Sequence, residues 1–399
     1  MSFAKRAAFF SVLVGGMALG ASMAHASTDS PFDLPATFST VFLSPLPVEG
    51  LATDASGNLY AAGRGGNPCP VYRVPAGGGS AAVVGTLPAP CSPNGLEFDA
   101  HGDLYVTNGA DKIYRLTPND QAPPLGSLFA SGVPGANGIA FDARGRLWVT
   151  DGGTGQGRVW RVAQDGTVVE VFRVQPLASD VNAVAGPNGV ATGGVGRDAR
   201  ALPPGSITFA PGGRSAAADA GSLGTVANGV VFDREGALLI ADTTRGAVWR
   251  VLLREDGSLR SRTDCDAAFP ADTLCLEALL VEHPTLEGLD GIALDEAGNI
   301  WGVANERNAL VVVTAEGAVR EIFRNPPDPT TRLRNAGPLE FPTSPVLFGR
   351  RLCISQTDVN RRDNAPATAG EVGPTGPVVS KISCLDQPLP FRGVPLPAR

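Results

Sequence analysis

The 399 residues are 43% hydrophobic, 18% charged and 6% aromatic, with 50 Gly and 34 Pro, about a fifth of the chain between them. That composition suits a turn-rich all-β fold and leaves little room for long helices or coiled coils. A formal charge of −7 argues against a nucleic-acid partner, because phosphate binding needs a basic surface.

Residues 1–26 have the layout of a secretory signal: Lys5 and Arg6 at the positive end, an apolar stretch from Ala7 to Gly20, and Ala24-His25-Ala26 as the cleavage site. The mature chain is then expected to begin at Ser27 and to be secreted or periplasmic. Without Lys5 and Arg6, 30 basic residues face 39 acidic ones, a charge of −9. No later stretch is long and apolar enough to cross a bilayer, so no membrane span is expected after cleavage. Export turns the six cysteines into a disulfide question. They fall into three sequence-local pairs, Cys69 with Cys91, Cys265 with Cys275, and Cys353 with Cys384, and this neighbour pairing is the expectation.

After a short tail, 27–36, the segment Thr37–Leu43 has strand character. A repeat then begins: Gly, Asp four residues on, Gly seven on, and an aromatic or Leu ten on. The copies are Gly50/Asp54/Gly57/Tyr60, Gly95/Asp99/Gly102/Tyr105, Gly138/Asp142/Gly145/Trp148, Gly229/Asp233/Gly236/Leu239 and Gly291/Asp295/Gly298/Trp301. Each copy reads as a strand, a tight Asp/Gly turn and a second strand. A third strand follows, such as Val-Trp-Arg-Val at 159–162 and 248–251, and in most copies a weaker fourth. Four antiparallel strands per unit of about 45 residues indicate the blades of a β-propeller. His101 falls in a turn, His283 in the loop entering the fifth unit, and Arg73, Arg115, Arg161 and Arg250 recur with the blade period, which favours structural pairing.

The gap between the third and fourth copies is double length. It reads as an insertion at about 173–224, giving six blades over 37–393, with seven as the alternative. The sixth blade is divergent and starts at Pro342-Thr343-Ser344. Pairing of the 37–43 strand with the last strand, near Val378–Cys384, would close the ring without an open edge.

The residue before each repeat Gly projects toward the axis at one mouth of the channel: Glu49, Asn94, Asn137, Asn228, Asp290 and, in the sixth blade, Thr343. Two carboxylates with amide oxygens make a hard-oxygen site suited to Ca²⁺, with Mg²⁺, Mn²⁺ or Zn²⁺ as alternatives. Asn-Gly by itself also starts turns, but that reading leaves Glu49 and Asp290 as buried anions without a cation. Arg64, Asp242 and Asn305 follow second strands and are secondary candidates for substrate contact.

Glu in blade one, Asn-Gly in blades three and four, Asp-Gly in blade five, and Pro-Thr-Ser followed by Phe-Gly in blade six resemble the senescence-marker-protein/gluconolactonase (regucalcin-like) family over most of residues 45–355. The resemblance implies that Glu49, Asn228 and Asp290 hold a divalent cation, commonly calcium. It also implies that Asn137 lies beside the metal in the substrate pocket and that Asp290 doubles as the catalytic base; Asn94 and Thr343, from the same ring, are read as further substrate-binding residues. Sugar-lactone members often carry Arg two residues before the blade-three Asn, where this chain has Gly135. The expected activity is metal-assisted opening of a small-molecule lactone or ester. Two other readings stand beside it: a non-catalytic NHL-like scaffold binding a protein or glycan, and a metal-free propeller enzyme of strictosidine-synthase or lyase type.

Overall fold

The computed structural model describes residues 30–33, 35–175, 225–263, 270–327, 329, 334, 337–359 and 380–394. The signal segment, most of the insertion, and Cys265 lie outside them. The described strands form six antiparallel sheets, each the blade of a propeller. The inner strands are Ala52–Thr53, Pro93–Phe98, Ala136–Phe141, Val230–Phe232, Leu289–Leu294 and Pro342–Phe348. Blade three carries a fifth, parallel strand, Thr273–Leu274, against its outer edge. Helical structure among the described residues is limited to three short 3₁₀ turns, and no helix is long and apolar enough to cross a membrane. Val168–Val174 is the last described strand before residue 225, and most of the expected insertion lies between it and blade four, outside the described residues.

The repeat Asp and the repeat aromatic serve one hydrogen-bonded turn. The Asp closes the turn between the first two strands: Asp142 Oδ1 accepts from the N–H groups of Arg144 at 2.9 Å and Arg146 at 3.0 Å. The other oxygen, Oδ2, accepts from Trp148 Nε1 at 3.1 Å. Asp295 repeats this with Ala297, Asn299 and Trp301, and Asp54 with Ser56, Asn58 and the Tyr60 hydroxyl. The aromatic at the tenth position is therefore selected for a polar tip that satisfies a turn carboxylate as well as for bulk. In blade four, where Leu239 offers no donor, Arg250 Nε reaches Asp233 Oδ2 at 3.0 Å. Arg73 and Arg115 likewise bind Asp120 and Asp103, and the Arg161 guanidinium donates to a backbone carbonyl. The periodic arginines are structural.

Six apolar clusters fill the wedges between successive blades. One joins blades three and four around Trp148 and Trp249, and another joins blades five and six around Trp301. The ring is closed by the strand Phe38–Leu43, which pairs antiparallel with Lys381–Leu385 as the outermost strand of blade six. The N-terminal strand thereby completes blade six as a four-stranded sheet and ties the two ends of the described chain together. Cys69–Cys91 and Cys353–Cys384 are disulfides. Cys275 is also disulfide-bonded, while its expected partner, Cys265, lies outside the described residues. The Cys353–Cys384 bridge ties adjacent strands of the closing sheet, across 31 residues of sequence. Replacing both cysteines with alanine is expected to lower stability by about 3 kcal/mol, read as a fall in Tm, with no loss if the closing strand is held by its backbone ladder alone.

Candidate functional site

The inner strands approach one another closely at the funnel mouth because the repeat residue is glycine. A Cβ on Gly95 would lie 2.4 Å from the Asn137 carbonyl oxygen, and one on Gly138 would lie 2.3 Å from that of Asn228. Hydroxyls from second strands bind these same carbonyls: Thr107 Oγ1 to Asn137 O at 2.6 Å and Thr150 Oγ1 to Asn228 O at 2.6 Å. A narrow ring of backbone results, with the side chain before each glycine projecting above it.

Two contact sets meet at this mouth, Arg64 with Glu49 and Asn94, and Asp290 with Asn305 and Asn228, and the charge of Arg64 acts on Asp290 from the first set. Its guanidinium forms an ion pair with Glu49 and donates to Asn94 Oδ1, while Nε donates to Pro93 O at 2.9 Å. Burial pulls the Arg64 pKa down to about 10, and the field of Asp290 opposes that shift. Asp290 accepts from Asn305 Nδ2 at 3.0 Å. Burial raises the Asp290 carboxyl to about 7, against the pull of Asn305, Arg64 and Asn228. Asn228 donates to Thr243 Oγ1 at 3.0 Å.

Arg64 and Asn305 share a register. Each stands fourteen residues after its repeat Gly, and the equivalents in blades two, three and four are Gly109, Gly152 and Thr243. This position meets the ring residue of its own blade: Arg64 meets Glu49, Thr243 meets Asn228, and Asn305 meets Asp290. Where it is glycine the ring amide has room, since a Cβ on Gly152 would collide with the Asn137 side chain. Asn137 is half-buried and its amide has no hydrogen-bond partner among the described residues. Of the expected substrate contacts, it is the one left with hydrogen bonds to give. Asn94 is held between Arg64 and Ala136 O, the latter at 2.8 Å. The Thr343 hydroxyl donates to Glu49 O at 2.7 Å and so braces the ring.

The remaining secondary candidates lie elsewhere. Asp242 is fully buried beneath Arg245 and accepts from Trp249 Nε1 at 3.1 Å, a structural role. His283 is exposed and accepts from Thr285 N at the start of a 3₁₀ turn, and His101 is exposed in its turn. Gly135 has φ 72°, and a Cβ there would lie 2.2 Å from Asp151 Oδ1. An arginine does not fit at that position.

A hard cation at this mouth would depend on oxygen donors. Among the described residues no three His, Cys, Asp or Glu side chains gather, so a metal here rests on two carboxylates plus amide oxygens. Glu49 Oε2 is buried and has no hydrogen-bond partner beyond its ion pair with Arg64. With one guanidinium between two acids, the set retains one negative charge when both are ionised. These donors fit a divalent oxygen-loving ion.

Residues 182–338 match the profile of the SMP-30/Gluconolactonase/LRE-like region. The resemblance read from the sequence is to this family. No curated protein matches the chain significantly in sequence. Among solved structures, a luciferin-regenerating enzyme superposes with a TM-score of 0.56 at 12% identity, covering 91% of this chain and 99% of that one. Regucalcin from Agrobacterium tumefaciens, described as a calcium-binding protein, gives 0.55 at 15%, covering 91% and 97%. A gluconolactonase from Xanthomonas campestris gives 0.51 at 17%, covering 89% and 90%. At these identities the likeness is one of fold, and function has to be argued from the site.

Proposed function

We propose that this chain is an exported, metal-dependent hydrolase that opens a lactone or a related small carboxylic ester. The observation that carries the proposal is the linkage of Glu49, Asn228 and Asp290 at one mouth of the channel, with Asp290 buried and its carboxyl raised toward neutrality. Glu49, Asn228 and Asp290 would hold the divalent ion, calcium by donor type. When bound, such an ion supplies a Lewis acid that polarises an ester carbonyl. Asp290 takes a proton from the attacking water, and Asn305 fixes the orientation of its carboxylate. Oxygen from that water bonds to the acyl carbon, the acyl C–O bond breaks, and the proton passes from Asp290 to the departing alkoxide. A lactone thereby becomes a hydroxy acid. Asn137, with its amide unpaired, orients the substrate. Gly135 leaves the family's sugar-facing Arg position without a side chain, which favours a less polar lactone or aryl ester.

A second reading rests on one observation: Arg64 already supplies positive charge to Glu49. The same hydrolysis would then run without metal, with the guanidinium facing the carbonyl oxygen. A panel of sugar lactones, alkyl lactones and aryl esters, assayed with and without chelator, separates the two. The first reading expects turnover that a chelator abolishes and calcium restores. Turnover indifferent to chelator selects the second, and no turnover on any substrate sinks both and leaves the scaffold and lyase-type readings.

A further inference from the structure

On the other side of the backbone ring from the funnel lies a cavity of about 500 Å³, lined by the inner strands from the repeat glycines onward and by Val394. That volume lies in the range of small-molecule sites. Its wall is aliphatic because the residue two after each repeat position is Ala52, Ala140, Val231, Ala293 or Val346 in five blades. In blade two that position is Glu97.

Glu97 has no evident structural task. Its Oε1 accepts from its neighbour's N–H, Phe98 N, at 3.1 Å, and no cation among the described residues pairs with it. Burial raises its carboxyl to about 7. The other acid in the wall, Asp233, is neutralised by Arg250. Among the described residues no basic side chain lines the cavity. An aliphatic side chain would complete the wall at lower desolvation cost, as it does in the other five blades. The uncompensated charge is therefore the feature that a ligand would have to complement.

We infer that this cavity is a second binding site, separate from the funnel, for a small amphiphile with an apolar body and a protonated amine, the ammonium group pairing with Glu97. The apolar body contributes burial against the aliphatic ring, and the ammonium turns an orphaned carboxyl into a charge-assisted pair in a low-dielectric setting. An anionic amphiphile of the same shape is rejected, since it would bring a second negative charge beside Glu97.

Three probes of matched shape test this by calorimetry on the full chain: 4-phenylbutylammonium, 4-phenylbutanol and 4-phenylbutyrate, against wild type, Glu97→Gln and Glu97→Leu. The ammonium is expected to bind one to one, about tenfold tighter than the alcohol, with the acid failing to bind. Glu97→Gln, nearly isosteric, should bring the ammonium down to the level of the alcohol, and Glu97→Leu should strengthen the alcohol. The inference is overturned if the acid binds as well as the ammonium, or if none of the three binds. Ammonium binding that survives Glu97→Gln unchanged also overturns it, and would point to the funnel acids instead.

Discussion

Replacing Asp290 with asparagine is expected to lower kcat/KM for ester opening by about 100- to 10,000-fold, the range over which a positioned general base contributes. Asparagine keeps the shape and can still face Asn305, so the propeller should fold. The argument is that Asp290 is the acid whose surroundings oppose its charge: it is buried, and only Asn305, Asn228 and the field of Arg64 offset the loss of water. The same substitution should change stability with a definite sign. In chelated protein the Asp290 carboxyl titrates near 7 when folded, against an ordinary value of 3.8. Between those values the folded protein keeps a proton that the unfolded chain has released. The stability contributed by this group is therefore complete below about pH 4 and is lost as pH rises through about 7. Asp290→Asn should then melt higher than wild type at pH 8 and equally at pH 4. Equal turnover in the two proteins would remove Asp290 from the chemistry, and a variant that melts lower at pH 8 would show the carboxylate to be a net stabiliser.

A catalytic residue that destabilises its own fold is a familiar compromise. It also bears on what could be read from sequence. The repeat was legible because each of its positions answers a strict steric or hydrogen-bonding demand: glycine where a Cβ would strike a neighbouring carbonyl, Asp where two turn amides need an acceptor, and an aromatic whose tip donates to that Asp. Such demands recur in five of the six blades, with Leu239 the one departure at the aromatic position, so they print a period. The axial ring was legible for the same reason, being fixed relative to the glycine. Arg64 and Asn305 were read only as secondary candidates for substrate contact, not as partners of the ring acids, because the offset they share is not filled by one residue type: Arg, Gly, Gly, Thr and Asn in blades one to five. A position that varies with the chemistry of its partner carries no repeat signal. Pairing each ring residue with the residue fifteen places later would have tied Arg64 to Glu49 and Asn305 to Asp290.

The second large effect is expected at Arg64. Replacing it with methionine keeps the aliphatic stem but leaves Glu49 and Asp290 without the cation between them. Removing one partner of a fully buried pair costs about 3–5 kcal/mol, but the Arg64 side chain is 29% exposed, so solvent screening brings the expected loss to about 1–3 kcal/mol. In chelated protein this appears as a lower Tm at pH 8, where both acids are ionised. Added calcium then acts differently on the two proteins. In wild type an incoming divalent ion meets a guanidinium already bound to Glu49, so part of its attraction to the carboxylates is offset by repulsion or by displacing the side chain. In Arg64→Met both carboxylates are unopposed, and the ion should bind about tenfold or more tighter, raising Tm with the logarithm of its concentration. The expected result is a variant less stable than wild type in chelator and restored toward it by millimolar calcium, while wild type responds weakly. Identical calcium responses would mean that Arg64 does not compete for the site. If neither protein responds, the carboxylates do not bind calcium, and the guanidinium would be the charge against which Glu49 and Asp290 are balanced.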